Sequence, residues 1–501
     1  MKKTVLMLFL MLGWLTGKAE NVVQVVPFET QAGITTDDMA YFSLNMSNEV
    51  EMVAFQFDIL LPEGMTFDTT DGLNPFEFNE ERVPYTVDRK GNKTFKYDVQ
   101  HSDPFDGGWV TVMVFTLEDT QLSGLSGEIL TAYYLTDAGM AAGIYPVKVK
   151  NIVMVTTDNQ KIKFGECTSY VSVGTSPLKT EAQADMSWLT GHVPSFTIEA
   201  MNAEMADNTA LTNIDLTGAD AIGAVPTPGN KNALISVSSG TDCAATLAAA
   251  AAGNVVVEAD GVAQCSRLHL ADGAHDFCVT SPFTADVAVV ERVFKGGWWS
   301  TVCLPFDIPA ETLTEIKAAG VEIEKLIEFS PATGVLRFAP VEAMEAHTPY
   351  IVRTATDMQP FAEIRNVSVT ETDAPTSVEV NGIVMEGVYA TSVLNSDASK
   401  THYAYDAADG AFVKIGSNGL AYPFRAFMTL PLASATLNSL SVETGCETTG
   451  IETLETVTPE TRVSVVGADG RIVRNSVHPE RATQGLPAGV YIVNGKKMVV
   501  E

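Results

Sequence analysis

Glu51-Met-Val-Ala-Phe-Gln-Phe-Asp-Ile-Leu-Leu61 is the stretch on which the fold turns. Val53, Phe55, Phe57 and Ile59 occupy alternate positions, with Gln56 and Asp58 between them. A period of two marks a strand with one dry face and one wet face. Leu61-Pro62-Glu63-Gly64 reads as a turn, and Met65 to Asp68 opens the next strand. Upstream, Val22 to Val26 is a first apolar strand. Downstream come Trp109 to Leu117, Gly127 to Tyr134, Gly143 to Val149 and Ile152 to Thr156. Short strands at this spacing, with no helical stretch over residues 20–175, predict a two-sheet sandwich.

The order of these pieces resembles a cohesin-type module. The alternating Val-Ala-Phe-Gln-Phe-Asp-Ile strand, the Leu-Pro-Glu-Gly-Met turn, the Gly127-Glu-Ile-Leu130 strand and Gly143-Ile-Tyr-Pro-Val-Lys-Val149 carry the resemblance. It implies a jelly-roll sandwich, shared with a family of carbohydrate-binding modules. It also implies a binding domain, either for a dockerin-like protein module or for glycan. No compact signature marks the partner face, so no contact residue follows from it.

Residues 176–194 read as a polar linker. Residues 195–290 hold short strand-like runs, Ala210 to Leu216, Ala233 to Val237 and Asn254 to Val257, punctuated by Gly, Asn and Asp. They predict a few rungs of a stacked β-ladder without a fixed period. One Ala-rich helix interrupts them, capped by Asp242 and ended by Gly253. Residues 291–445 open with Lys295-Gly-Gly-Trp-Trp-Ser-Thr-Val-Cys-Leu-Pro-Phe-Asp307, then a helix over 311–319, then strands. The Trp-Ser-Thr-Val-Cys-Leu-Pro-Phe, Thr-Pro-Tyr-Ile-Val and Phe-Arg-Ala-Phe-Met segments resemble a β-sandwich module of surface proteins in bacteria that use type IX secretion.

Residues 446–501 begin as a polar linker and end in apolar strands. Asp469-Gly470 and Asn494-Gly495 read as two-residue hairpin turns, and Val490, Ile492, Met498 and Val500 take alternate positions of the paired strands. The Asp469-Gly470-Arg471 turn and the Gly485-Leu486-Pro487-Ala488-Gly489-Val-Tyr491 run resemble a type A C-terminal sorting domain of type IX secretion. That resemblance implies a small sandwich read by the secretion machinery. The fold class expected is therefore mainly β and multidomain: an N-terminal jelly-roll sandwich, central β-ladder and β-sandwich modules, and a small C-terminal β-sandwich.

Met1-Lys2-Lys3, an apolar run from Thr4 to Leu15, and Gly17-Lys18-Ala19 make a signal peptide over residues 1–19. The run is too short for a permanent transmembrane span, and no later segment is long enough. Losing Lys2, Lys3 and Lys18 takes the formal charge from −31 to −34. Such acidity argues against nucleic acid and against adsorption to anionic lipid. It serves solubility. We expect a secreted, cell-surface or extracellular protein.

Residues able to carry chemistry are sparse. Cys265-x3-His269-x5-His275-x2-Cys278 is the one zinc-like set, but its spacing departs from finger patterns and Arg267 shares the strand face. Exported cysteines favour disulfides, so at most one or two bridges are expected within residues 243–303. No nucleophile elbow, phosphate loop or calcium loop is present. Trp109 and the Trp298-Trp299 pair open apolar strands and are expected to pack rather than to hold sugar. We therefore expect no catalytic residue, metal or cofactor. The expected function is non-enzymatic binding and scaffolding, with the cohesin-like domain engaging an extracellular protein partner. The alternatives are a carbohydrate-binding surface protein in polysaccharide use and an unrecognised hydrolase. A flat exposed sheet face favours the first. A groove with coplanar tryptophans favours glycan. A deep cleft with two close, perturbed carboxylates favours hydrolysis.

Overall fold

The computed structural model describes residues 21–118, 120–242, 254–397, 399–431, 437–446, 463–467, 471–477, 481–493 and 496–500. The signal-peptide residues and the Ala-rich stretch 243–253 lie outside them. The chain divides into two compact units, Met1–Cys446 and Glu447–Glu501.

The first unit begins with β1 (Val22–Val25), β2 (Phe28–Thr30), β3 (Tyr41–Ser47), β4 (Met52–Leu60), β5 (Met65–Phe67), β6 (Phe76–Phe78) and a small hairpin of β7 (Tyr85–Val87) and β8 (Lys93–Phe95). It continues with β9 (Asp98–His101), β10 (Val110–Phe115), β11 (Ser126–Thr136), β12 (Gly143–Thr156), β13 (Lys161–Lys163) and β14 (Cys167–Val173). One sheet runs β1-β3-β11-β5, with β6 also on β11. The facing sheet runs β14-β12-β4-β10-β9, with β13 beside β12 and β2 beside β14. The expected alternation holds for Phe55, Phe57 and Ile59, which are buried between the sheets; at the start of the strand Met52 is buried and Val53 only half-buried, where the register with β12 shifts. This is the two-sheet sandwich anticipated from Glu51–Leu61.

Strand β12 corrects one reading. The two segments read as separate strands form one strand of fourteen residues with a bulge between Lys150 and Val153. Asn151 sits at φ 51°, in the left-handed region. Before the bulge Val147 and Val149 face the core; after it Ile152 and Met154 do. One inserted residue switches the phase from odd to even while both halves keep their apolar face inward.

Residues 176–194 are folded rather than a linker. They contain α1 (Pro177–Thr180), β15 (Gln183–Asp185) and β16 (Gly191–Val193). Leu178, Ala184, Met186, Leu189 and Val193 are buried in one core with Tyr170 of β14. Next come α2 (Ser195–Met205), a helix absent from the sequence reading, β17 (Asn213–Asp215), β18 (Ala219–Ile222), β19 (Leu234–Ser238) and β20 (Asn254–Ala259). Strands β15-β17-β19-β20 stack in parallel, as do β14-β16-β18. The ladder expected over 195–290 thus begins earlier and continues the sandwich sheet. Buried asparagines close its turns. Asn232 is fully buried; its Nδ2 donates to the carbonyls of Ala271 (3.4 Å) and His275 (2.5 Å), and its Oδ1 accepts from Ala271 N (2.7 Å). A Cβ on Gly218 would fall 1.8 Å from Ser187 O, so the rung spacing there demands glycine.

The remainder of the first unit holds a ten-stranded sheet and the helix Ala310–Ala318, close to the helix expected over 311–319. Trp299 on the first strand of that sheet shares a core with Met385 and Met428 near its other end, so the sheet folds over on itself.

The second unit is a four-stranded sheet of Val463–Gly467, Ile472–Val477, Gly489–Val493 and Lys496–Val500. Val493 pairs with Lys496, and the Asn494-Gly495 turn expected between them lies outside the described residues. The strands Val463–Gly467 and Ile472–Val477 pair antiparallel, and the Asp469-Gly470 turn expected between them lies outside the described residues. Tyr491 and Val493 face the small core, whereas Val490 and Ile492 are exposed, so the buried phase is one residue away from that read in the sequence.

Candidate functional site

The outer side of β9-β10-β4-β12-β13 is a broad sheet face with a hollow of about 450 Å³ lined by Gln56, Asp58, Thr111, Asn151, Val153 and Lys163. Its composition follows from register. Gln100, Met113, Gln56, Val153 and Lys163 lie in one row across the five strands. Asp98, Phe115, Ala54, Val155 and Lys161 form the next. At about 4.8 Å per strand each row spans roughly 19 Å. The inward neighbours of these residues fill the core, so the rows themselves face outward. Met113 is 42% exposed, and Leu117, two residues beyond Phe115, is 92% exposed. The centre of the face is therefore apolar, with an acidic edge at Asp98 and a basic edge at Lys161 and Lys163.

A third row, Thr111-Asp58-Lys150, fixes the geometry at the bulge. Asp58, expected on the wet face, is buried. Thr111 Oγ1 donates to its Oδ1 at 2.6 Å, and Asn151 Nδ2 donates to its Oδ2 at 2.6 Å. The carboxylate thus ties the bulge to β10. Lys150 turns instead to the Trp109 ring, with Nζ 3.7 Å from its centroid. Among the described residues Lys148, Lys150, Lys161 and Lys163 reach no carboxylate, in a chain with 62 acids. Other lysines do, for example Lys93 with Glu80, Lys179 with Glu29 and Lys295 with Asp357.

The remaining candidates separate. Cys265 packs in the core, and burial pushes its thiol up to about 12. His269 Nδ1 lies 3.2 Å from Glu291 Oε1, His275 Nδ1 accepts from Lys231 N at 3.4 Å, and Cys278 Sγ accepts from Gln183 Nε2 at 3.8 Å. Four different settings cannot share one ion, and no metal-holding group of three such side chains occurs among the described residues. Cys265, Cys278 and Cys303 are all thiols, so the described residues hold no bridge where at most one or two were expected among residues 243–303; Cys243 lies outside the described residues. Cys303 is fully buried and its thiol is likewise pushed up to about 12, which suppresses the thiolate.

Two carboxyls are raised by desolvation, Glu204 and Glu324. Glu204 accepts from Tyr170 Oη (3.1 Å) and from Ser176 Oγ. Tyr170 and Ser176 are fully buried, so this group faces protein rather than a cleft. Glu324 accepts from Gly445 N. Trp109 and Trp299 pack against protein, but Trp298 is 53% exposed, contrary to expectation. Of the sorting-motif residues, Tyr491 is buried and its Oη donates to Pro487 O at 2.9 Å; Gly485 sits at φ 71°; Arg471, Pro487 and Ala488 are exposed; Leu486 packs on the small core and Gly489 begins a strand. No described helix is long and apolar enough to cross a membrane.

No family model and no curated protein matches the chain. Solved structures similar to its sandwich include a non-cellulosomal cohesin from the hyperthermophilic archaeon Archaeoglobus fulgidus, at 10% identity over 31% of this chain and 92% of that one, with a TM-score of 0.23. A type I cohesin–dockerin complex from Clostridium thermocellum matches at 10% identity over 31% and 97%, with a TM-score of 0.22. The cohesin module of a family 33 glycoside hydrolase from Clostridium perfringens matches at 12% identity over 31% and 98%, with a TM-score of 0.20.

Proposed function

We propose that this chain is a non-enzymatic, extracellular binding and scaffold protein whose N-terminal sandwich docks a protein partner on the outer face of β9-β10-β4-β12-β13. The supporting observation is an apolar stripe, Met113, Phe115, Ala54, Val153 and Val155, bordered on one side by lysines with no carboxylate of their own. Exposed apolar surface with a polar rim is what protein interfaces use. The ladder and the ten-stranded sheet act as scaffold. The C-terminal unit serves delivery to the cell surface, in keeping with the hairpins around the Asp469-Gly470-Arg471 and Gly485–Tyr491 motifs.

The test compares the full chain with its Met113→Asp and Lys161→Glu/Lys163→Glu variants as bait against secreted and outer-membrane fractions. A bait ending at residue 175 would uncover Tyr170, whose side chain belongs to the ladder core. The proposal expects a partner held by the unaltered chain and released by both variants, each with an unchanged melting temperature. A partner held equally by all three removes the face from consideration.

A further inference from the structure

The same sandwich carries a larger concavity, lined by other residues than the outer sheet face. At one end of the two sheets the Leu61–Gly64 turn, the 69–73 segment and the 102–108 loop enclose a cleft of about 1020 Å³. That is at the upper end of the roughly 300–1,000 Å³ typical of small-ligand sites. Its floor is apolar: Leu61, Met65 and Val110 line it and are nearly buried, with Phe67 half-buried beside them. Its mouth carries Glu63, Asp103, Lys148, Thr66 and Thr69. Among the described residues these five side chains make no hydrogen bond or ion pair with the protein. A convergent set of unused donors and acceptors over an apolar floor is the pattern of a ligand site.

The walls are fixed. Asp68 accepts from Thr70 N (3.1 Å) and from Thr36 Oγ1 (3.3 Å), and Thr70 Oγ1 lies 2.9 Å from Thr36 Oγ1. Across the cleft, Gly108 N and Trp109 N both donate to Phe105 O. Asp71 and Asp106, at φ 59° and 39°, hold left-handed conformations in these two loops. Such conformations persist where the surroundings over-determine them, and they cluster at binding sites.

The chemistry narrows the ligand. Two carboxylates and one ammonium leave the mouth with a small net negative charge, which disfavours a polyanionic ligand. Carboxylates accept from hydroxyl pairs, the ammonium donates to hydroxyl oxygens, and the threonines do both. The floor requires a C–H face. A neutral pyranose meets all of these conditions, since its ring has an apolar face and an equatorial belt of hydroxyls. We infer that this cleft binds a neutral saccharide, separately from the protein-docking face.

Calorimetry and saturation-transfer NMR on the full chain test this with cellotetraose, xylotetraose, mannotetraose, maltotetraose and chitotetraose, and with tetragalacturonate as the charged control. At least one neutral probe should bind with a micromolar to millimolar Kd. The Glu63→Ala/Asp103→Ala variant, altered only at exposed positions, should weaken it about tenfold or more. A Leu73→Ala variant at the exposed mouth provides a second probe of the same site, with a smaller loss expected. Met113→Asp should leave saccharide binding intact. Silence of all five neutral probes at millimolar concentration overturns the inference. So does binding that ignores the Glu63/Asp103 change, or binding of the charged control alone. Protein-partner capture by the Glu63→Ala/Asp103→Ala variant should be unchanged, so failure here and failure of the docking face are distinguishable.

Discussion

Replacing Asp58 by alanine tests how the outer face of β9-β10-β4-β12-β13 keeps its shape. Asp58 Oδ1 and Oδ2 each accept one bond at 2.6 Å, from Thr111 Oγ1 and Asn151 Nδ2. Hydrogen bonds to a charged group contribute about 1.5–3 kcal/mol each. Asn151 is exposed and Thr111 half-buried, so water can replace part of what both donors lose. Removing a buried carboxylate also relieves its own desolvation. The net expectation is a loss of about 2 kcal/mol, concentrated at the bulge. Hydrogen exchange followed by mass spectrometry reads it locally: amides of residues 148–156 should exchange about 30-fold faster in Asp58→Ala. Asp58→Asn keeps one acceptor and should fall between. Because the loss is concentrated at the bulge, local exchange reads it more sharply than global denaturation. Unaltered exchange over 148–156, with Asp58→Ala folded, refutes the latch; the bulge would then be held by its Ile152 and Met154 packing alone.

Other predictions follow from burial and titration. Glu204 is raised above its ordinary value of 4.5, by burial first, so the folded protein holds that proton more tightly than the unfolded chain. As pH rises from 4.5 through the folded value, the native protein should lose stability relative to Glu204→Gln; parallel pH–melting curves would contradict the burial argument. Glu29 behaves oppositely, since its bond with Lys179 lowers it, and its contribution should fade as pH falls through the folded value. Native alkylation with iodoacetamide should label Cys278 and Cys446, which are partly accessible, and spare Cys265 and Cys303; mass-spectrometric mapping decides. Asn232→Ala removes the side-chain partner of Ala271 N, Ala271 O and His275 O beside a buried turn and should cost about 3–6 kcal/mol, seen as a lowered melting temperature with loss of protection in residues 231–242 and 254–275.

The sandwich was legible in the sequence because a strand with one buried face must alternate, and Phe55, Phe57 and Ile59 do. The ladder was legible only in outline, since its rungs are three to six residues long and irregularly spaced. Helix α2 was not legible: Ser195–Met205 has apolar residues on more than one side, and it forms because the ladder core receives Ile198, Met201 and Met205. The linker reading of 176–194 failed for a related reason. Its polar composition conceals five buried positions that only a neighbouring core makes apolar sites. The proposed docking face could not be read from any single strand. Met113, Ala54 and Lys163 are far apart in the chain, and it is strand order, register and the Asn151 bulge that bring them to one surface.

The sequence by itself determined the periodicity, hence the strands, their dry faces and the mainly β class, because those depend on neighbours two residues away. The tertiary structure alone decided which strands pair, which lysines are left without an acid, and where the two sheets part to open a cleft. Those properties depend on contacts between residues tens of positions apart, and no local pattern encodes them.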